Sequence, residues 1–340
     1  MKELYTSFEF NVEDEEGKFH EQIHLKFNNL EIFSGNLTQK MPDEENFEKV
    51  FIKNKKLQKI EAIEINSSYV RWLFSKQLNG EFFPSVKTIF SKFFDAAELK
   101  EIVLPEKTEN LSFSHPIDLN ILNNLTNLKF LKLFEHNIST SENGFHSALS
   151  KLVNLKFLVF PFKMTEEQIE KKPFFDYHFI SNLNKIEYLD ISCHPINQQN
   201  FSDVFTILSS SLSSSSSLNK NDFSFLSFLN ISDCEYITDI SCLSKLPNLK
   251  RLVSCNLKNL NKIFDKFDSL VSWDLGSSNF CSLFLDIIGR SSFASLSTLI
   301  VRYFSDKIEQ KLFDYFLSFP SLRHFELHCK NFFIKKIIIK

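Results

Sequence analysis

Residues 226–243 read LSFLNISDCEYITDISCL, and the role given to Cys234 decides how the chain folds. The thiol is either there for chemistry or is a small apolar residue at a fixed place in a repeating core. Apolar residues fall at Leu226, Leu229, Ile231, Cys234 and Ile237. Leu229 and Ile231 alternate with Phe228 and Asn230, which is the pattern of a half-buried strand. Cys234 comes three positions after Ile231, where the chain leaves the strand and turns inward. A small side chain is wanted there, and a free cysteine packs as a small hydrophobe.

The same L-x-x-L-x-L skeleton recurs along the chain. It appears upstream as LTNLKFLKL (Leu128, Leu131, Leu133), LVNLKFLVF (Leu155, Leu158, Phe160) and LNKIEYLDI (Ile186, Leu189, Ile191). Downstream it appears as LPNLKRLVS (Leu249, Leu252), FDSLVSWDL (Leu270, Trp273, Leu275), FASLSTLIV (Leu296, Leu299, Val301) and FPSLRHFEL (Leu322, Phe325, Leu327). Weaker copies precede these at Leu99, Ile102, Leu104 and at Ile60, Ile63, Ile65. From Leu128 onward the first positions are separated by 27, 31, 40, 23, 21, 26 and 26 residues, the longest step holding the insertion SSSLSSSSSLNKND.

With that skeleton and a period mostly near 20–29 residues, the chain resembles a leucine-rich-repeat protein. Residues 226–239 are similar to the cysteine-containing variety, L-x-x-L-x-L-x-x-C-x-x-I-T-D. The resemblance implies an α/β solenoid, a curved horseshoe with a parallel sheet on its concave face and helices or irregular turns on the convex side. The physical logic agrees: one unit cannot bury its apolar side alone, but stacked units share a continuous core. Segments apolar at helical spacing, such as Phe201, Val204, Phe205 and Leu208, supply the convex layer, where phenylalanine can stand in for leucine.

The expected organisation has three parts. Residues 1–56 form an N-terminal cap, with FEFNV and IHLKF around the acidic turn EDEEG suggesting a hairpin. Residues 57–333 form the solenoid, interrupted by a Ser-rich flexible loop at about 209–222. Residues 334–340 form a tail or capping strand.

Composition narrows the function. The chain has 340 residues, 43% apolar and 24% charged, with a net charge of −3, which argues against a polybasic nucleic-acid binder. Lysines 53, 55, 56 and 59 have Glu48, Glu61 and Glu64 close by and read as a solvated face. Only 6 glycines are present and no GxGxxG or GxxxxGK occurs, so phosphate-cradling loops are not expected. No signal pattern opens the chain and no apolar run reaches the length of a bilayer span. A soluble, intracellular, cytoplasmic protein is expected, with its six cysteines as free thiols.

Catalytic and metal chemistry find little footing. There is no CxxC pair, and no GxSxG or HExxH places a nucleophile beside a base or ligands around a metal. His324, Glu326 and His328 alternate on one strand, but ligands two apart on a strand stand roughly 6.5–7 Å from each other and do not converge on one ion. No catalytic residue, metal, cofactor or small-molecule substrate is expected.

The outward positions of the strands are the candidate site. The third position of successive skeletons is Phe130, Phe157, Tyr188 and Phe228, then Arg251, Ser272, Thr298 and His324. The next outward column holds Lys132, Val159, Asp190 and Asn230. Parallel strands about 4.8 Å apart turn the first set into an aromatic stripe. Two readings stay open: an interaction surface, or an aromatic ladder whose members serve only one another. On the first, the protein is a non-catalytic scaffold that docks a protein partner through Phe130, Phe157, Tyr188, Phe228, Asp190 and Arg251, with no role for nucleic acid or membrane. A second possibility comes from the repeat class, which resembles the substrate-recognition arms of F-box proteins. That implies a ubiquitin-ligase adaptor, although residues 1–56 hold no recognisable F-box. A metal-dependent enzyme is the remaining alternative.

Overall fold

In a computed structural model of the chain, the described residues are 3–5, 32–37, 59–65, 87–91, 104, 106–113, 119–133, 147–161, 177–210, 225–257, 260–263, 267–277, 293–303, 318–329 and 332–338. They divide into two units, Met1–Leu155 and Lys156–Lys340.

In the first unit, β1 (Glu3–Tyr5), β2 (Ile32–Leu37), β3 (Lys59–Ile65), β4 (Thr88–Ser91), β5 (Asn110–Phe113) and β6 (Phe130–Leu133) each pair in parallel with the next. The register aligns Lys59, Thr88, Asn110 and Phe130 in one column. The neighbouring column, Ile89, Leu111 and Leu131, points inward and is buried, as are Phe113 and Leu133. Each fully buried leucine of this kind stabilises the fold by about 1.5–3 kcal/mol relative to exposure. Just ahead of the strands, Glu109 lies between Lys87 (3.2 Å) and Lys129 (2.7 Å) and ties three repeats at the surface. The lysines, Lys129 first, hold its carboxyl below the usual carboxylate range.

In the second unit, β7 (Phe157–Val159), β8 (Tyr188–Asp190), β9 (Phe228–Asn230), β10 (Arg251–Val253), β11 (Ser272–Ser277), β12 (Thr298–Tyr303) and β13 (His324–Cys329) run parallel. The last strand, β14 (Phe332–Ile338), turns back antiparallel on β13. Inward residues Leu158, Leu189, Leu229, Leu252, Trp273, Leu299 and Phe325 form one buried row. The row carries the parallel register, because a slip by one residue would turn every one of them to the outer face.

A helix, Gln198–Ser210, buries Phe201, Val204 and Phe205, and the Asn197 side chain caps it by accepting the Asn200 N–H at 2.7 Å. Three-residue-per-turn segments at His178–Asn182 and Ser241–Lys245 serve the neighbouring repeats. Gln198 fastens the helix to the next repeat: its Oε1 accepts the N–H groups of Thr238 (2.7 Å) and Asp239 (2.8 Å), and its Nε2 donates to the Asp239 carbonyl at 2.8 Å.

Some expectations fall on residues outside the described set. These include the hairpin strands 8–12 and 23–27, and residues 211–222 of the Ser-rich stretch. Within residues 1–56, β1 and β2 pair in parallel. Ser209 and Ser210, expected in the loop, form the end of the helix.

Candidate interaction surface on the sheet

The sheet of the second unit positions the candidate residues by register alone. Phe157, Tyr188, Phe228, Arg251, Ser272, Thr298 and His324 are direct cross-strand partners in sequence order. Each heads its strand, with its inward neighbour locked in the core, so the side chain has only the outer face available.

The three aromatic residues stack. Phe157 and Tyr188 have ring centroids 4.0 Å apart with planes 15° from parallel, and Tyr188 and Phe228 are 3.9 Å apart at 3°. Arg251 closes the row, its Cζ 5.5 Å from the centre of the Phe228 ring. Both faces of Tyr188 are therefore covered by neighbours, and Phe228 lies between Tyr188 and a guanidinium. With its faces stacked, this half-exposed ridge offers solvent its ring edges, the Tyr188 hydroxyl and the exposed Arg251 side chain. Burial, with Asp190 second, raises the pKa of the Tyr188 hydroxyl, and Arg251 acts in the opposite direction. The hydroxyl stays a donor at neutral pH.

Asp190 stands in the adjacent column. Its Oδ1 accepts the Ser192 N–H at 3.0 Å and its Oδ2 accepts from the Asn230 amide at 3.0 Å. The same turn recurs where Asn230 accepts the Ser232 N–H and where Asp274 accepts the Gly276 N–H, each at 3.0 Å. These side chains close the turn after the strand while remaining partly exposed. Val159 belongs to this column by its register with Asp190, but its apolar side chain is buried and gives the outer face no polar group. Phe130 heads β6 of the first unit, half-exposed and beside Asn110.

Two other sets of groups take on definite shapes. Cys234 is fully buried, its thiol donating to the Ile191 carbonyl at 3.2 Å, and burial pushes its pKa well above the ordinary thiol value. Cys242 lies in the segment Ser241–Lys245, where burial first and Asp239 second push the thiol up to about 12. Neither offers a thiolate at neutral pH. His324 Nε2 lies 3.4 Å from Glu326 Oε2, and among the described residues no three His, Cys, Asp or Glu side chains converge on a metal position.

His194 was not singled out by sequence, although a signal was present. Aligning LDISCHPI with LNISDCEYI puts His194 in the position of Cys234. Both lie inside the turn, and the residue before each, Cys193 (φ 63°) and Asp233 (φ 59°), is left-handed. His194 is buried between the Phe160 carbonyl, which meets Nε2, and the Tyr177 hydroxyl, 2.8 Å from Nδ1. A carbonyl only accepts, so Nε2 carries the proton and Nδ1 accepts from Tyr177. Asp233 and Asn256 extend the left-handed row, with the Asn256 amide donating to Asp233 at 2.8 Å.

Strands in sequence order, a repeated inward row and a repeated polar turn now define the architecture. The fold is that of a leucine-rich repeat. No protein-family model and no curated protein matches the chain. Among solved structures, an internalin (inlF) from Listeria monocytogenes is similar over 90% of this chain and 81% of its own, at 14% identity and a TM-score of 0.47. Rad7, in its complex with Elc1 from yeast, is similar over 82% of this chain and 64% of the other, at 12% identity and 0.43. InlJ from Listeria monocytogenes, whose functional domain includes a cysteine ladder, gives 82% and 60% coverage, 14% identity and 0.41. The chain thus spans less than two thirds of the latter two. Similarity at this level assigns no partner to the leucine-rich repeats described here. Among the described residues, no helix is long and apolar enough to cross a membrane.

Proposed function

We propose that the protein is a non-catalytic interaction scaffold that binds a protein partner on the outward face of its sheet. In the second unit the binding residues are Phe157, Tyr188 and Phe228, with Arg251 at the end of the row and Asp190 alongside. Phe130 is proposed as a contact residue of the first unit's own face. The observation that carries the reading is the half-exposed stack of Phe157, Tyr188 and Phe228 on rigid, fully registered strands. Aromatic and arginine side chains preorganised in this way lose little freedom on binding, which is why they dominate binding energy at interfaces.

The stack also supports the fold, so a test must separate the two roles. The full chain is immobilised and partners are captured and identified by mass spectrometry, for the natural protein and for a Phe157→Ala, Tyr188→Ala double variant. Loss of a specific partner by about thirtyfold or more, about 2 kcal/mol, with circular dichroism showing the fold retained, is the expected result. Capture of the same partners at unchanged affinity would remove the stack as the site.

A further inference from the structure

We propose that Arg251 is the specificity residue of this face and that it receives a carboxylate from an acidic, extended segment of the partner, whose adjacent apolar side chain rests on the ring edges of Phe228 and Tyr188. The proposal rests on the binding function assigned to the stack and adds the chemistry of the ligand.

Three observations lead to it. First, the aromatic faces are already used. Tyr188 is covered on both sides and Phe228 lies between Tyr188 and Arg251, so neither ring presents an open face for a cation or a planar base. The exposed ring edges carry the positive side of the aromatic quadrupole, and the Tyr188 hydroxyl between them is a donor.

Second, Arg251 is exposed and its Cζ sits over the Phe228 ring, 5.5 Å from the ring centre, a cation–π contact that favours this placement of the side chain. Its guanidinium forms no ion pair among the described residues, so its N–H donors can serve a ligand. A bidentate carboxylate matches that fork in geometry and charge.

Third, nearby cations are treated differently. Lys156 is paired with Glu187 at 2.7 Å and Lys262 with Asp239 at 3.0 Å. Arg251 and the adjacent Lys250 form no ion pair among the described residues. The acids of the adjacent column hold the turns and form no ion pair with Arg251: Asp190 accepts from Ser192 and Asn230, and Asp274 Oδ1 accepts the Gly276 N–H. Arg251 at the start of β10, and Lys250 just before it, thus stand beside an apolar ridge without an ion-pair partner among the described residues. An acidic residue flanked by an apolar one complements that surface.

The test uses the full chain and a displayed library of random twelve-residue peptides, selected separately on the natural protein, Arg251→Glu, Arg251→Lys and the Phe157→Ala, Tyr188→Ala double variant. The natural protein is expected to enrich peptides carrying Asp or Glu next to an apolar residue. Arg251→Glu should lose that enrichment, favour Lys and Arg instead, and bind a peptide selected on the natural protein about tenfold or more weakly. Arg251→Lys should keep the acidic preference with reduced affinity, which shows that the change in charge, not a change in fold, is read. Enriched peptides without acidic bias, or an acidic bias unchanged in Arg251→Glu, would overturn the role of Arg251 and leave the stack standing. Peptides insensitive to both Arg251→Glu and the double variant would overturn the surface altogether. A library that yields no binder would overturn the extended acidic ligand while leaving a folded partner for the stack.

Discussion

The rings of Tyr188 and Phe228 lie 3.9 Å apart with planes only 3° from parallel, although the two residues are 40 positions apart in the chain. The contact exists because Leu189 and Leu229 are both fixed in the core, so that parallel pairing brings the residues before them face to face. The stack should be energetically coupled. A double-mutant cycle with Tyr188→Ala and Phe228→Ala, followed by urea denaturation, is expected to give a coupling of about 0.5–1.5 kcal/mol. Additive effects would mean that the two rings are held only by their own strands.

Gly276 should resist substitution. Its φ is 57°, and a Cβ built on it would lie 2.3 Å from Cys255 Cβ, 2.5 Å from its Sγ and 2.7 Å from its Cα. Gly276→Ala therefore meets both backbone strain and backbone overlap, and is expected to cost about 2 kcal/mol or more in thermal or urea unfolding. Adding Cys255→Ala should not restore stability, because the β-carbon that clashes is still present. Adding Cys255→Gly should restore part of it.

The cysteines should separate by position. Cys193 is exposed, whereas Cys234 is buried with its thiol donating to the Ile191 carbonyl and its pKa raised by burial. Alkylation at neutral pH read by peptide mass spectrometry should label Cys193 in the folded protein and Cys234 only after denaturation. Cys234→Ala is expected to cost about 1 kcal/mol for the lost packing and weak hydrogen bond. Labelling of Cys234 at the rate of Cys193 would show that the repeat opens locally or that the thiol is not sealed in.

How far the fold could be read in advance depended on which physical rule each residue obeys. Leu189, Leu229 and Leu252 were legible because strand alternation leaves one face to the core, and their equivalence predicted the register of Phe157, Tyr188, Phe228 and Arg251 seen in the sheet. The column was legible but the contacts within it were not. A list of outward residues says nothing of ring tilt, so whether the aromatics point their faces or their edges at solvent needed coordinates. The same reasoning put Asp190 in the next outward column but not its two acceptor bonds, which depend on turn geometry and on a neighbour 40 residues away. Gln198 and His194 escaped notice because each works through backbone groups of other repeats, which leave no mark in composition or period.

His194 sets a pH dependence whose sign follows from its burial. Desolvation lowers its pKa from the ordinary 6.5 to about 3, against the pull of the Phe160 carbonyl, so the folded protein keeps it neutral through the weakly acidic range. The unfolded chain protonates the same imidazole as pH falls through about 6.5. Between those values the unfolded state binds more protons, and stability must fall as pH falls. The full contribution is present above pH 6.5 and is progressively lost down to about pH 3. One site contributes at most about 1.4 kcal/mol per pH unit, so roughly 2 kcal/mol should be lost between pH 6.5 and 5. His194→Asn removes this proton linkage while leaving a residue able to bond backbone groups. It is expected to be less stable than the natural protein by about 1–3 kcal/mol at pH 7.5, through loss of the Tyr177 contact and its packing. Its stability should nevertheless decline more gently towards pH 5, so that the two curves converge. Urea midpoints measured at pH 5, 6, 7 and 8 for both proteins decide the matter, the comparison cancelling the titration of groups they share. Parallel curves across that range would show that His194 titrates alike in the folded and unfolded states, and that its position beside Tyr177 and Phe160 is not the sealed one described here.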